Sequence, residues 1–145
     1  MATTPKWYRI ITLIALIWNL FGCLAVVSDL MITPEAIARM STDQQTLYAS
    51  RTAWSMSASA VAVLGGVAGS LALVLRKRWY MPFLVASLIC LCIQDYGLFV
   101  VAHGARLAGP GAVVLQGLVL VIALSLIALG RYAEKGGWIS GGSSQ

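Results

Sequence analysis

Four apolar segments, each about as long as a membrane-spanning helix, dominate this sequence. They run over residues 8–30, 52–75, 80–102 and 111–130. A helix needs about 20 predominantly apolar residues to cross the hydrocarbon core of a bilayer. Because these segments are continuously apolar, they favour helices over the shorter, alternating strands of a transmembrane barrel. The sequence therefore predicts an all-α fold, a four-helix transmembrane bundle, in a single domain over residues 1–138 with a flexible tail at 139–145.

The composition indicates a membrane protein rather than a soluble one. Hydrophobic residues make up 59% of the chain and charged residues only 10%, whereas a soluble domain carries about a quarter charged residues. Because the four spans use most of the chain, no soluble catalytic domain remains. The three cysteines fall within the spans and lack the spacing of a zinc site. We therefore expect no enzyme activity, no metal and no cofactor, and we expect the lipid bilayer as a partner.

The net charge of +5 is a signal of membrane topology. If the N-terminus, the turn at 76–79 and the C-terminus share one side of the membrane, that side holds seven basic residues. The opposite, outer side holds three, which are Arg39, Arg51 and Arg106. Since cytoplasmic loops carry the excess of Lys and Arg, this distribution places both termini in the cytoplasm. There is no basic groove or aromatic platform, so a nucleic-acid partner is not expected.

The first span has two interpretations, a cleaved signal peptide and a retained transmembrane helix. Lys6 and Arg9 precede its apolar run, as in a secretory signal peptide, and the sequence LFGC at 20–23 is similar to a lipoprotein cleavage box. Against cleavage, Asn19 interrupts the apolar region and the run continues beyond the cysteine to Val27. The balance favours a retained transmembrane helix.

The loop at 31–51 is the only long one, and it contains two helix-start signals. The sequence Thr-Pro-Glu from Thr33 supplies an N-cap, a proline at the first helical position and an acid near the positive end of the helix dipole. Ser41 and Gln44 have the spacing of a capping box. Two short amphipathic helices over the outer mouth of the bundle and a solvated connector are the two structures left open.

Small residues follow two rows along the second span. Gly65 and Gly69 form a GxxxG motif. The second row, at four-residue spacing, comprises Ala58, Ala62, Gly66 and Ser70. Such rows let helix backbones approach closely in lipid. The pattern predicts a tight helix contact, either within the bundle or between protomers.

Asp95 is the most costly polar residue within the spans. An aspartate at the centre of a membrane helix costs about 2.5–3.5 kcal/mol, so it usually faces the bundle interior, water or a partner. We expect it to converge with Gln94, Asn19, Gln116 and Trp54 on one small polar pocket in the outer half of the bundle. Two roles remain open for Asp95: binding a ligand or a proton, and a structural polar tie between helices.

Four stretches of the chain carry a resemblance that covers nearly its whole length. They are WNLFG (18–22), the loop TPEAIARM to LYASRTAW (33–54), GGVAGSLALVLRKRW (65–79) and QGLVLVIALSLIALGRYAEKGGW (116–138). In these stretches the chain resembles small bacterial four-helix membrane proteins that often carry the label "sugar transporter", and more distantly the DoxX-like proteins. The resemblance implies a four-helix fold in a bacterial inner membrane, and it supplies no sugar-binding motif.

Two functions from different classes fit these observations. The first is a small solute transporter, with a sugar-like substrate, that acts as an oligomer because one four-helix protomer has little room for a path. The second is a non-catalytic accessory or assembly subunit of a larger membrane complex, in which the small-residue rows and apolar faces are docking surfaces. A membrane enzyme has the least support, because the spans contain no paired acids and no cluster of histidines.

Overall fold

The computed structural model describes residues 3–139, and these residues form helices and connecting turns without a β-strand. The helices are α1 (Lys6–Leu30), α2 (Pro34–Ala38), α3 (Thr42–Ala49), α4 (Ala53–Val74), α5 (Tyr80–Tyr96), α6 (Gly104–Leu107) and α7 (Pro110–Lys135), and α5 continues as a π-helical turn over Gly97–Val101. Tail residues 140–145 lie outside the described part of the chain.

Four of these helices are long and apolar enough to span a membrane, which confirms the predicted all-α class and the four spans. They are α1, α4, α5 with its π-helical extension, and α7, with lengths of 25, 22, 22 and 26 residues. At about 1.5 Å per residue, even the shortest matches a hydrocarbon core of about 30 Å. The largest difference in bounds is at α7, which extends five residues past the predicted end at 130 to Lys135.

The two ends of the bundle are formed by different elements of the chain. At one end, called the terminal end, the start of α1, the α4–α5 turn and the end of α7 meet. There the hydroxyl of Tyr8 donates to the carbonyl oxygen of Leu73 at 3.0 Å, and Trp7 contacts Tyr132 with ring centroids 6.3 Å apart. At the opposite end, called the loop end, lie the short helices α2, α3 and α6.

Helix α4 is the central helix because its two rows of small residues face two different neighbours. Gly65 and Gly69 lie against α5, where added Cβ atoms would meet the Phe83 carbonyl oxygen at 3.0 Å and the Leu84 side chain. Gly66 and Ser70 lie against α1. The structure thus places the tight contact inside the bundle, with α1 and α5 on either side of α4.

The terminal end holds the packed core. Its fully buried side chains include Tyr8, Leu73, Tyr80 and Ala133. Tyr8 also belongs to an aromatic cluster with Trp7, Tyr132 and Trp138, in which the centroids of contacting rings lie 5.5–6.3 Å apart. Ile139 is also part of this core, with 4% of its surface exposed. Ile139 belongs to the predicted flexible tail at 139–145, but its contact with the core places it in the bundle.

At the loop end, the short helices α2 and α3 begin at the predicted helix-start residues. The hydroxyl of Thr33 accepts from the Ala36 N–H at 3.2 Å at the start of α2, and Ser41 with Gln44 forms a complete capping box at the start of α3. The loop at 31–51 therefore contains two short helices, α2 and α3. No residue of either short helix is buried.

The loop end of α5 is widened by its π-helical turn. The Ala102 N–H donates to the Gly97 carbonyl oxygen at 3.0 Å, five residues back. Gly97 lies under Trp54 of α4, so that an added Cβ would be 2.9 Å from the indole ring. His103 then takes a left-handed conformation, with φ 51°, and ends the helix. Trp54 therefore packs on the α4–α5 contact.

The close α4–α5 contact predicts the effect of a single methyl group. In Gly65→Ala the new Cβ would lie 3.0 Å from a backbone oxygen and 3.1 Å from the Ser87 Cβ, so the helices must separate. We expect a loss of stability of about 1–3 kcal/mol, typical of overpacking, measured by reversible unfolding in bicelles. Gly117→Ala is the matched control, since no atom lies within 4 Å of its Cβ. Equal stability of the two variants would contradict the contact.

Candidate ligand-binding site

A cavity of about 320 Å³ lies inside the bundle, between the terminal-end core and the loop end. All four long helices line it, and most of the lining is apolar, as at Trp18, Val63 and Leu91. Its polar lining consists of Asn19 on α1, Ser87 and Gln94 on α5, and Gln116 on α7. A mostly apolar cavity with a few convergent polar groups is typical of a small-molecule site. We call it the bundle cavity.

Asn19 is held in a fixed orientation by α4. Its amide nitrogen donates to the Ser70 hydroxyl at 2.8 Å and to the Ala15 carbonyl oxygen at 2.9 Å, which uses both amide N–H groups. Its amide oxygen lies directly over Gly66, where a Cβ would collide with it. Asn19 therefore presents an acceptor oxygen at the cavity wall, and Gly66 provides the space for that oxygen.

Gln116 links the cavity to Asp95. Its amide nitrogen donates to the Oδ1 atom of Asp95 at 2.7 Å and so joins α7 to α5. The Oδ2 atom of Asp95 is buried and has no hydrogen-bond partner among the described residues. Asp95 does not line the cavity, so it reaches the cavity only through Gln116. The geometry supplies a polar tie between helices, and one carboxylate oxygen remains unpaired.

Gln94 lies between two cavities. It lines the bundle cavity and also a smaller pocket of about 170 Å³ at the loop end. Asn19 and Gln116 have side-chain partners, whereas Gln94 makes no side-chain hydrogen bond within residues 3–139. Its amide is therefore available as both donor and acceptor for a bound molecule.

The structure brings only part of the predicted pocket together. Asn19, Gln94 and Gln116 line the bundle cavity, and Asp95 is hydrogen-bonded to one of them, Gln116. Trp54 lies apart: it covers Gly97 on the α4–α5 contact, with 44% of its surface exposed. The prediction that Trp54 joins the same pocket is wrong for this structure, because the indole is occupied by helix packing.

Sequence reasoning missed an ion pair at the loop end. The Arg51 guanidinium binds both carboxylate oxygens of Asp29, with its Nη1 2.5 Å from Oδ2 and its Nη2 3.2 Å from Oδ1. The Tyr48 hydroxyl donates to Asp29 at 2.6 Å, and Arg51 lies 3.9 Å from the centroid of the Tyr48 ring. The hydrogen bond to Asp29 raises the pKa of Tyr48 above its usual value of about 10. The one available signal was the placement of an acid and a base at the two ends of a single loop.

This ion pair forms one wall of the loop-end pocket, which is also lined by Ser50, Ser55 and Ser59. The hydroxyls of Ser55 and Ser59 donate to backbone carbonyl oxygens at 3.0 Å, so their lone pairs remain free to accept. Since Asp29 neutralises Arg51, the pocket is polar without a free charge.

The described residues contain no group of three or more His, Cys, Asp or Glu that could hold a metal ion. No family model, curated protein or solved structure matches this chain. The polar side chains of the bundle cavity are three amides and one hydroxyl, groups that can form hydrogen bonds with an uncharged molecule.

The Asp95–Gln116 bond can be tested by a double-mutant cycle. Hydrogen bonds between membrane helices contribute about 0.6 kcal/mol on average and at most about 1.7 kcal/mol. We expect a coupling energy in this range between Asp95→Leu and Gln116→Leu, measured by reversible unfolding in bicelles. Asp95→Asn keeps an acceptor oxygen and should retain most of the stability. Strictly additive effects of the two leucine variants would rule out the bond.

Proposed function

We propose that this chain is a multi-pass protein of a bacterial inner membrane, with both termini in the cytoplasm, and that it binds a small neutral ligand in the bundle cavity. Four helices of membrane-spanning length support the location. The concentration of basic residues near the terminal end, including Lys6, Arg9 and Arg76–Arg78, supports the orientation. The ligand-binding role fits solute transport, which is the first of the two functions left open by the sequence.

The observation that carries this proposal is the set of three amides in one apolar cavity. Asn19, Gln94 and Gln116 come from three different helices, and no charged residue lines the cavity. Asn19 has used both of its N–H groups, so it presents an acceptor oxygen. Gln116 has donated one N–H to Asp95 and keeps its amide oxygen. Such a site favours an uncharged molecule with hydroxyl or N–H donors.

Packing at the terminal end supports the oligomeric part of the proposal. Tyr8, Leu73, Tyr80 and Ala133 are almost fully buried and separate the bundle cavity from that end. One bundle in this conformation offers a binding pocket and no continuous path across the membrane. Transport would therefore require a second protomer or a rearrangement of this core, and we propose a homo-oligomer as the transporting unit.

The alternative, an accessory subunit of a larger membrane complex, is favoured by a different observation. Helices α1 and α7 bury far fewer residues than α4, and their outward faces carry large apolar side chains such as Phe21, Leu24 and Val114. Lipid covers such faces as readily as a protein partner does. A stoichiometric protein that co-purifies in mild detergent would favour this alternative over transport.

Filling the cavity should abolish ligand binding. Gly22 lines the cavity, and the nearest atom to its added Cβ is 3.9 Å away, so Gly22→Phe places a ring in the empty space without a backbone clash. We expect uptake of a labelled neutral sugar or polyol into proteoliposomes to fall to the level of empty liposomes in this variant. Gly117→Phe, the same change on an open face of α7, should transport normally.

The outcomes of this experiment are distinct. Uptake by the wild-type protein that equals empty liposomes across a panel of neutral sugars and polyols would contradict transport of this class. Equal loss in Gly22→Phe and Gly117→Phe would show that the added bulk, rather than the cavity, is responsible. Size-exclusion profiles and thermal unfolding midpoints of both variants show whether each one is folded.

The proposed orientation has its own test. Glu35, at the loop end, and Lys135, at the terminal end, are both exposed. In intact cells a membrane-impermeant maleimide should label Glu35→Cys, and it should label Lys135→Cys only after permeabilisation. The wild-type protein reports any background from the three native cysteines. The reverse pattern would place the termini outside the cytoplasm.

A further inference from the structure

Three cavities of this protein lie next to one another, because each shares lining residues with the next. The loop-end pocket and the bundle cavity share Val26 and Gln94. The bundle cavity in turn shares Trp18, Ile122 and Leu126 with a groove of about 410 Å³ between α1 and α7. We call this third space the lateral groove. It opens on the side of the bundle, where a surrounding bilayer would be.

The lining of this series changes from polar to apolar along the bundle. The loop-end pocket carries the Asp29–Arg51 ion pair, Gln94 and serine hydroxyls. The bundle cavity is apolar apart from its amides and the Ser87 hydroxyl. The lateral groove has one polar residue, Ser125, and its hydroxyl donates to the Val121 carbonyl oxygen at 2.7 Å. A molecule that matches the lining of all three cavities has a polar group at one end and a hydrocarbon chain at the other.

The lateral opening results from the way α7 is attached. Near the terminal end α7 is fixed closely to α5, because Gly130 has no side chain and the Tyr80 ring lies in that space. Toward the loop end no residue of α7 is buried before Leu126. Among the residues that the structure describes, the bond from Gln116 to Asp95 is the only side-chain hydrogen bond from this half to another helix. Backbones of α1 and α7 make almost no close approach. The gap between them therefore leads directly from the bundle cavity to the lipid-facing side.

We propose that the ligand is a single-chain amphiphile with an uncharged, hydroxyl-bearing head, and that it enters sideways from the bilayer between α1 and α7. Its head binds at Gln94, where the two inner cavities meet, and its chain lies along Trp18, Ile122 and Leu126. This inference rests on the proposed binding function of the bundle cavity and names the class of molecule that the cavity takes.

The chemistry of the head follows from the charges around Gln94. Arg51 is the only base of the loop-end pocket, and Asp29 binds it through both carboxylate oxygens. A charged head would have to break this pair or remain without a counter-ion in a partly buried site, and both are costly. An uncharged head with hydroxyls instead meets the free amide of Gln94 and the serine lone pairs. The loop-end pocket and the lateral groove share no lining residue and both adjoin the bundle cavity, an order that suits one chain.

Photo-crosslinking in nanodiscs tests this proposal directly. The full-length protein in phosphatidylcholine nanodiscs is irradiated with a monoacylglycerol that carries a diazirine near its chain end, and labelled residues are mapped by mass spectrometry. We expect saturable labelling at Trp18, Ile122 and Leu126, competed by unlabelled 1-oleoylglycerol. Non-saturable labelling spread over outward residues such as Val114 and Leu118, as for bulk lipid, would overturn the proposal.

Two variants and one control connect the labelling to the cavities. Gly22→Phe should lower saturable labelling at least tenfold, and Gly117→Phe, on the open face of α7, should leave it unchanged. Gln94→Leu should weaken competition by 1-oleoylglycerol by about tenfold, the effect of about one lost hydrogen bond, with the labelled residues unchanged. Saturable labelling that is insensitive to Gly22→Phe would place the amphiphile elsewhere and overturn the proposal.

Three combinations of uptake and labelling results distinguish a failure of this inference from a failure of the proposed function. If Gly22→Phe abolishes uptake of a water-soluble sugar while amphiphile labelling is non-saturable, the cavity binds a ligand that does not come from the bilayer. If the protein neither takes up neutral solutes nor gives saturable labelling, both proposals fail. If labelling is saturable and sugar uptake is absent, the cavity binds membrane-borne molecules only.

Discussion

The close approach of α4 to its two neighbours is the contact on which the other features of this structure depend. In lipid, apolar side chains gain little by leaving the hydrocarbon for a helix interface, so association relies on tight van der Waals packing and on hydrogen bonds. Gly65 and Gly69 bring α5 close, and Gly66 lets the Asn19 amide of α1 lie on the α4 backbone. The same glycine that permits packing therefore also positions a polar group of the cavity.

The hydrogen bonds inside the bundle determine which polar groups face the bundle cavity. Polar groups in a membrane interior are expensive unless paired, and most of those present are paired. Asn19 binds Ser70, Ser87 donates to the Ala62 carbonyl oxygen, and Gln116 donates to Asp95. Among the described residues, the groups left without a hydrogen bond include the side chain of Gln94, the amide oxygens of Asn19 and Gln116, Oδ2 of Asp95 and the Tyr80 hydroxyl. The three amides line the bundle cavity, which is one of the places where apolar packing is incomplete.

The sequence predicts the helices well because each depends on local patterns. Apolar runs located the four spans to within a few residues except at the end of α7, and the caps at Thr33 and Ser41 marked α2 and α3. Three of the four polar residues that line the bundle cavity, Asn19, Gln94 and Gln116, are among the predicted candidates, whereas Ser87 is not. Gln116 was one of several residues expected near Asp95, but which of them binds Asp95, and the pairing of Asp29 with Arg51, depend on helix rotation and loop path, which no local pattern specifies. The contact between Gly130 and Tyr80 was missed for the same reason.

The uneven attachment of α7 gives the hydrogen bond between Asp95 and Gln116 a particular place in the bundle. Half of α7 is fixed by packing around Tyr80, while its other half is tied to α5 by the Asp95–Gln116 bond. A bond of this kind contributes about 0.6 kcal/mol, close to thermal energy, so it aligns the helix without holding it rigidly. Gln116 also lines the bundle cavity, whereas the α7 residues of the lateral groove lie nearer the terminal end, from Ile122 to Leu129. Under the proposed binding function, the Asp95–Gln116 bond therefore positions one amide of the cavity wall.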